Sequence, residues 1–113
     1  MTRIIEKSGE INKVDLYLMT SANDITSVKD LDDGEEITPR AWVDYVDVKD
    51  DDTETAVFAF MDKDGKAYAT TSATFKRSFK DMWTLFDGDE FTIVKTSGVA
   101  KSGRPYINCN LEH

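Results

Sequence analysis

A chain of 113 residues with 40% hydrophobic composition can close one hydrophobic core but hardly two, so we expect a single domain. No apolar run approaches the roughly eighteen residues of a membrane span, and the N-terminus lacks the apolar segment of a signal peptide, which predicts a cytoplasmic protein without membrane contact. A net charge of −8 argues against binding of duplex nucleic acid through a broadly basic surface.

The first half of the chain predicts strands separated by polar turns. Residues 14–20 alternate between apolar and polar side chains and are predicted as a first strand. Residues 25–31 lie between clusters of Ser, Asn and Asp and form either a short strand or a loop. After the turn dipeptide Asp33-Gly34, residues 36–49 have the length of a long strand, with Pro39 at its start, a bulge or an edge.

A hairpin is predicted next. Residues 54–61 are an almost continuous apolar run of strand length. The tight turn 62–65 ends in a glycine, which accepts the positive φ that such turns require. Residues 66–72 then form the returning strand.

The apolar period changes between residues 73 and 86 and predicts the one helix of the chain. Large apolar residues recur there at spacings of three and four. They are Phe75, Phe79, Met82, Trp83 and Phe86. Ser72 or Thr71 can cap the start, and Asp87-Gly88 ends the helix.

Two strands close the chain, at 89–96 and 105–111, joined by the basic loop 97–104. Cys109 is the only cysteine, and its alternating surroundings predict a small buried hydrophobe. The final Leu-Glu-His resembles the start of a histidine tag, so we exclude 111–113 and take 1–110 as the domain. No other histidine exists for a zinc site or a catalytic triad, so we expect no cofactor and no catalysis.

This element order predicts a fold that is all-β with one helix. Three strands, a helix and a final strand pair are the order of the five-stranded OB-fold barrel, whose strand face and hairpin loops commonly bind oligonucleotides. An SH3-like barrel and a small α+β sheet share enough of this order to remain alternatives. Acidic residues concentrate in the first half, since 1–56 carry fifteen acidic against six basic residues and 57–113 carry seven against eight.

Aromatic and basic residues alternate where a single strand would need them. Bases stack on aromatic rings while spaced cations follow the phosphates. On the long strand, alternation places Arg40 and Trp42 outside together, opposite a better core face. Lys66 and Tyr68 share a face of the hairpin in the same way, and Tyr106 points outward on the last strand. These residues predict a nucleic-acid-binding face.

The loop between the last two strands adds Lys101 and Arg104, at a position where OB barrels often grip ligands. Each residue also has an ordinary structural interpretation. Packing in the core suits Trp42 as well as stacking does, and packing at a barrel rim is the ordinary interpretation of the two tyrosines. The loop cations could be ordinary surface residues. Tyr45, Phe58, Phe60 and Trp83 are expected in the core, and Lys76, Arg77 and Lys80 form a solvated helix face.

From Asp33 to Leu111 the chain resembles a known family. The order DG-x-x-I-x-x-x-A, Tyr45, an apolar strand, DG-x-x-Y, a helix and SG-x-x-KSGR-x-Y resembles the single-stranded-DNA-binding proteins of small protein-primed Bacillus phages. The resemblance implies a barrel that coats and protects the strand displaced in replication. It carries binding roles to Tyr68 and to Lys101–Arg104, whereas the role of Trp42 depends on the strand pattern alone.

Three functions remain in competition. The first is binding of single-stranded DNA without sequence specificity, with replication proteins and weak self-association as further partners. The second is a protein-interaction β-barrel that uses the same face. The third is a metal-dependent nuclease or nucleotide enzyme, for which Asp87, Asp89 and Glu90 would join Asp50–Asp52 around an ion. Asp62-x-Asp64-Gly65 begins like a calcium loop but lacks the later ligands.

Overall fold

The computed structural model describes all 113 residues as a mostly β domain with two α-helices. The strands are β1 Thr2–Lys7, β2 Thr26–Ser27, β3 Glu36–Ile37, β4 Pro39–Val48, β5 Glu54–Asp62, β6 Ala67–Thr70, β7 Ile93–Val99 and β8 Pro105–Leu111. The helices are α1 Lys13–Thr20 and α2 Ala73–Phe86, and a short 3-10 turn spans Val28–Asp30. The prediction of a mostly β fold is confirmed. The prediction of a single helix is wrong, because the structure contains two α-helices.

The strands form two sheets. The large sheet has the order β1-β4-β5-β6-β2, antiparallel except for the β2–β6 pair, and the small sheet has the order β3-β7-β8. The chain crosses from the small to the large sheet at Thr38, whose Oγ1 lies 2.7 Å from Oγ1 of Thr92. A bulge follows directly, between Pro39 and Ala41. The predicted strand 36–49 is therefore divided between the two sheets.

On the other side no ladder joins β6 or β2 to β8, and we call this gap the seam. The hydroxyl of Ser72 donates across it to the carbonyl of Ile107 at 3.3 Å. The strands thus form two open sheets, where the sequence predicted one closed barrel. Leu111, which the sequence assigned to a tag remnant, is the last residue of β8 and pairs with Ile93.

The first helix replaces a predicted strand. Residues 14–20 lie in α1, because Asn12 accepts a hydrogen bond from the amide of Asp15 at 2.8 Å and caps the first turn. Leu16 and Met19 then fall on one helix face, and Met19 is fully buried. The same residues fit an alternating pattern, so periodicity alone did not decide between helix and strand.

The other local predictions agree better with the structure. Helix α2 has the predicted bounds, with Ser72 accepting from the amide of Phe75 at 3.1 Å. The hairpin turn is held by Asp62, whose Oδ1 accepts from the amides of Asp64 and Lys66. Strand β1 was not expected from the sequence and adds an edge to the large sheet beside β4. Residues 25–31 form the short β2 and the 3-10 turn.

Each face of the large sheet packs against a hydrophobic core. An aromatic core lies between this sheet, α2 and the small sheet. Its large rings are Trp42, Phe58, Phe60, Tyr68, Phe75, Phe79 and Phe91. A second core under α1 contains Met19, Val43, Tyr45, Ala59 and Met61. The predicted core positions of Tyr45, Phe58 and Phe60 are confirmed, but the opposite face of β4 is buried too.

Candidate nucleic-acid interface

Trp42 does not lie on an outer face, so the predicted stacking surface around it is wrong. The residue is only 6% exposed. Helix α2 covers its ring, with Lys80 Nζ 4.6 Å from the ring centroid and Trp83 edge-on at 6.5 Å. The alternation of β4 separated two faces correctly, but α2 closes the one that was expected to face water. A nucleobase has no access to this ring.

Tyr68 is also inside, at 5% exposure. Its ring stacks on Phe60 with centroids 5.2 Å apart, and its hydroxyl donates to Asp62 at 3.3 Å. Burial, reinforced by the charge of Asp62, raises the pKa of Tyr68 to about 12. Lys66 is exposed and places Nζ 5.2 Å from the Tyr68 centroid. The predicted Lys66–Tyr68 pair therefore exists, but it offers no open ring face.

This burial predicts a stability change at alkaline pH. An unfolded tyrosine ionises near pH 10 whereas Tyr68 holds its proton to about pH 12, so its stabilising effect is complete below pH 10 and declines between the two values. We expect Tyr68→Phe to flatten this part of the fall in unfolding free energy. Urea unfolding at pH 9, 10 and 11 measures it, with Tyr17→Phe on exposed α1 as control. Equal pH slopes for wild type and Tyr68→Phe would contradict the expectation.

Arg40 lies apart from the C-terminal residues of the predicted site. Its guanidinium donates to Asp15 at 3.2 Å and to the carbonyl of Asp62 at 3.1 Å, so it ties α1 to the end of β5. Lys66 belongs to the same end, because its amide bonds Asp62. None of the partners of these two residues belongs to β8, and neither residue lines a pocket together with Arg104 and Tyr106.

The basic face of α2 is largely neutralised within the protein. Asp44, on β4, accepts from Lys76 at 3.3 Å and from Lys80 at 3.2 Å, and Glu6 accepts from Lys80 at 2.8 Å. Burial alone would lower the pKa of Lys80, but the hydrogen bonds to Glu6 and Asp44 outweigh it and raise that pKa. Arg77 is exposed and makes no ion pair. The basic face of α2 therefore mainly pairs with carboxylates of the protein itself, which leaves little of it to bind phosphates.

A groove of about 1300 Å³ runs along the seam. One wall comes from the large sheet and the start of α2, and the other comes from the small sheet. Its lining residues are Ile25, Ser27, Lys29, Val57, Ala69, Thr70, Thr71, Ser72, Ala73, Lys95, Ser97, Gly98, Val99, Arg104, Pro105, Tyr106 and Ile107. Three of them are cations and none is a carboxylate, in a protein of net charge −8.

The three cations differ in exposure and in whether they form ion pairs. Lys95 is 5% exposed, and its Nζ donates to the carbonyl of Leu31 at 2.8 Å and to Asp33 at 3.1 Å. Asp33 does not line the groove but is exposed next to it, and hydrogen bonds from Ser97 and then Lys95 lower its pKa. Lys29 and Arg104 are exposed and form no ion pair. These two charges are free to meet a ligand.

The β7–β8 hairpin positions Arg104 and Tyr106 firmly. Strand β7 continues to Val99, so the predicted loop 97–104 shortens to a tight turn. In that turn the amide of Ala100 donates to the carbonyl of Arg104 at 2.9 Å, and Gly103 has φ +83. Tyr106 is 43% exposed. Lys101 is exposed at the tip, outside the groove lining.

Of the seven predicted residues, the groove thus unites Arg104 and Tyr106, with Lys101 nearby. Lys29, Lys95 and the segment 70–73 were missed. Lys95 had a detectable pattern, because it continues the inward register of Phe91 and Ile93 along β7. Lys29 had none, since it comes from a polar segment far away in the sequence.

Cys109 and two groups of acidic residues lie outside the groove lining. Cys109 is buried, as predicted, and burial raises its pKa to about 12. No three His, Cys, Asp or Glu side chains come close enough together to hold a metal ion, so the acidic residues at 50–52 and 87–90 are not assembled into a cluster. Neither α-helix has the length and apolar character needed to cross a membrane.

Comparison of the chain with protein-family models, with curated proteins and with solved structures found no match. The geometry of the groove therefore carries the functional assignment.

Proposed function

We propose that the protein binds single-stranded DNA, without sequence specificity and without catalysis, along the seam groove. One observation carries this proposal: in a strongly acidic protein, no carboxylate lines the seam groove, and two exposed cations without ion pairs, Lys29 and Arg104, do. A groove that excludes negative charge suits a polyanion, because carboxylates at its surface would repel phosphates.

The size and lining of the groove favour a chain over a small molecule. Its volume of about 1300 Å³ exceeds the roughly 300–1,000 Å³ of ordinary small-molecule pockets. Apolar residues accompany the cations, with Val99 and Tyr106 both well exposed. A single strand exposes base faces that such residues can cover, whereas a duplex hides them in its stack.

The strand order supports the same proposal. If β3 and β4 are taken as one bent strand, the series β5, β6, α2, β7, β8 follows the order of an OB fold that is open at the seam. OB folds bind oligonucleotides on their second and third strands and on the last hairpin. Here the groove takes Val57 from β5, Ala69 from β6 and Arg104 from the hairpin.

With the resemblance noted above, we also propose a role in covering strands displaced during replication, in the cytoplasm of a bacterial or phage-infected cell. Contacts with replication proteins and weak contacts between neighbouring copies belong to that role. The resemblance carried roles to Tyr68 and to Lys101–Arg104. Of these, the hairpin cations belong to the proposed site, while Tyr68 belongs to the core.

Fluorescence anisotropy with end-labelled oligo-dT and a matched hairpin duplex tests the proposal. We expect saturable binding of the single strand and weaker binding of the duplex. Log K should fall with log salt with a slope of about −1.4, since each of the two free cations releases about 0.7 counterion on a single strand. The fluorescent label is on the DNA because Trp42 is buried, so its own fluorescence would not report a stacked base. Absence of binding at about 20 mM salt would reject the proposal.

A second candidate has one observation in its favour. The outer edge of β8 faces the seam without a strand partner, so a peptide could add to it as a further strand. Binding through that edge would depend on main-chain hydrogen bonds and respond weakly to salt. The salt series therefore separates this protein-interaction function from DNA binding.

A further inference from the structure

Tyr106 and Gly98 form a matched pair across the small sheet. They lie directly opposite each other in the β7–β8 register. A Cβ atom on Gly98 would lie 2.6 Å from the Tyr106 hydroxyl oxygen, 2.8 Å from Cζ and 3.2 Å from Cε1. The ring of Tyr106 therefore leans across the β7 backbone and occupies the space that any other residue at 98 would fill.

Glycine is required here by the ring and not by the backbone. Five other glycines adopt positive φ, which L-residues rarely accept, but Gly98 lies in regular strand and is not among them. Glycine also weakens a strand interior, so a contact that needs glycine at this position in β7 would explain its presence. An aromatic ring on the neighbouring strand that packs over the glycine is one such contact, and the packing fixes the position of the ring.

The fixed ring remains partly exposed. Tyr106 keeps 43% of its surface exposed, and it is the one aromatic residue that lines the groove. Arg104 lies two residues earlier on the same hairpin arm and lines the same groove. An aromatic face next to a free cation is the combination that holds a stacked base and its phosphate.

We propose that Tyr106, held over Gly98, is the single base-stacking platform of the groove, so that a bound strand stacks one base there and is otherwise held through its phosphates. This inference rests on the proposed function and specifies how the site reads its ligand. Gly98 acts as a positioning residue, because it contacts the platform and not the strand. The sealed rings of Trp42 and Tyr68 leave no second platform.

An abasic scan tests the inference. The shortest oligo-dT that binds with full affinity is synthesised with one abasic position at a time, and dT is used because its bases stack little on each other. We expect one position at which base loss weakens binding by about 5- to 150-fold, and changes within about twofold elsewhere. A flat scan, or several equally sensitive positions, would overturn the inference.

The abasic scan is repeated with protein variants, which gives a double-mutant cycle between the base and the residues that hold it. Tyr106→Ala should abolish the sensitivity at that one position, and Gly98→Ala should reduce it although the tyrosine is retained. The double variant should bind no worse than Tyr106→Ala, since both changes remove one interaction. Tyr17→Ala, which removes an exposed ring outside the groove, is the matched control.

The outcomes separate the two proposals. If no oligonucleotide binds, the proposed function fails. If the unmodified strand binds but the abasic pattern is the same in wild type and Tyr106→Ala, DNA binding stands and the platform is rejected. A ring that merely protects Gly98 would lower thermal stability on removal and leave the abasic pattern unchanged, so melting curves accompany each variant.

Discussion

The double replacement Lys29→Glu with Arg104→Glu is expected to weaken binding of single-stranded DNA by at least roughly 10- to 30-fold at about 0.1 M salt. Both side chains are exposed, unpaired and part of the groove lining. Two lost phosphate contacts correspond to a change of about 1.4 in the salt slope, and the new carboxylates add repulsion. Anisotropy titrations from about 20 to 200 mM salt measure both the affinity and the slope.

The chain offers a control with the same change in net charge. Lys49 and Lys63 are exposed, form no ion pair and lie outside the groove lining. Lys63 follows the last residue of β5, Asp62, which is about 16 Å from Val57 along the strand at about 3.3 Å per residue. Lys49→Glu with Lys63→Glu should keep affinity within about threefold. An equal loss in both double variants would mean that overall charge governs binding, which would contradict a localised site.

Trp42→Ala is expected to lower the free energy of unfolding by about 3–5 kcal/mol, because it empties a ring-sized space between β4 and α2. It also removes the ring beneath the ammonium of Lys80. Urea denaturation followed by circular dichroism measures the loss. Leu85→Ala, on the exposed side of α2, should stay within about 0.5 kcal/mol of wild type.

The DNA affinity of Trp42→Ala is a second test of the position of this ring. The fraction of Trp42→Ala that folds should bind oligo-dT within about twofold of wild type, since the ring never reaches the groove. Trp42→Phe retains an aromatic ring and serves if the alanine variant does not fold. A stability loss below about 1 kcal/mol together with a clear loss of affinity would place the ring against the strand after all.

Sequence patterns predicted α2 and the hairpin turn, where the residue types that make the local contacts are recognisable. Helix α2 has its cap three residues from the bonded amide, and the hairpin turn is closed by Asp62 within four residues. Helix α1 was missed because seven residues satisfied both the helical and the strand period. The deciding contact was the cap at Asn12, just outside the alternating run.

The candidate site was only partly predictable, for two physical reasons. Alternation along β4 distinguishes two faces but does not reveal that α1 and α2 cover both, which is why Trp42 was expected outside. The groove also collects residues from distant segments, such as Lys29 and Arg104, which only the folded chain brings together. Arg104 and Tyr106 were found because one hairpin carries both.

The sealed thiol of Cys109 makes the protein convenient for site-directed probes. Thiol reagents attack the thiolate, and a buried group whose pKa is raised to about 12 supplies almost none at neutral pH. A cysteine introduced at Lys101, on the tip of the β7–β8 hairpin, would then be the one position to accept a maleimide dye. Such a label would sit beside the groove and report its occupancy without a native cysteine to remove first.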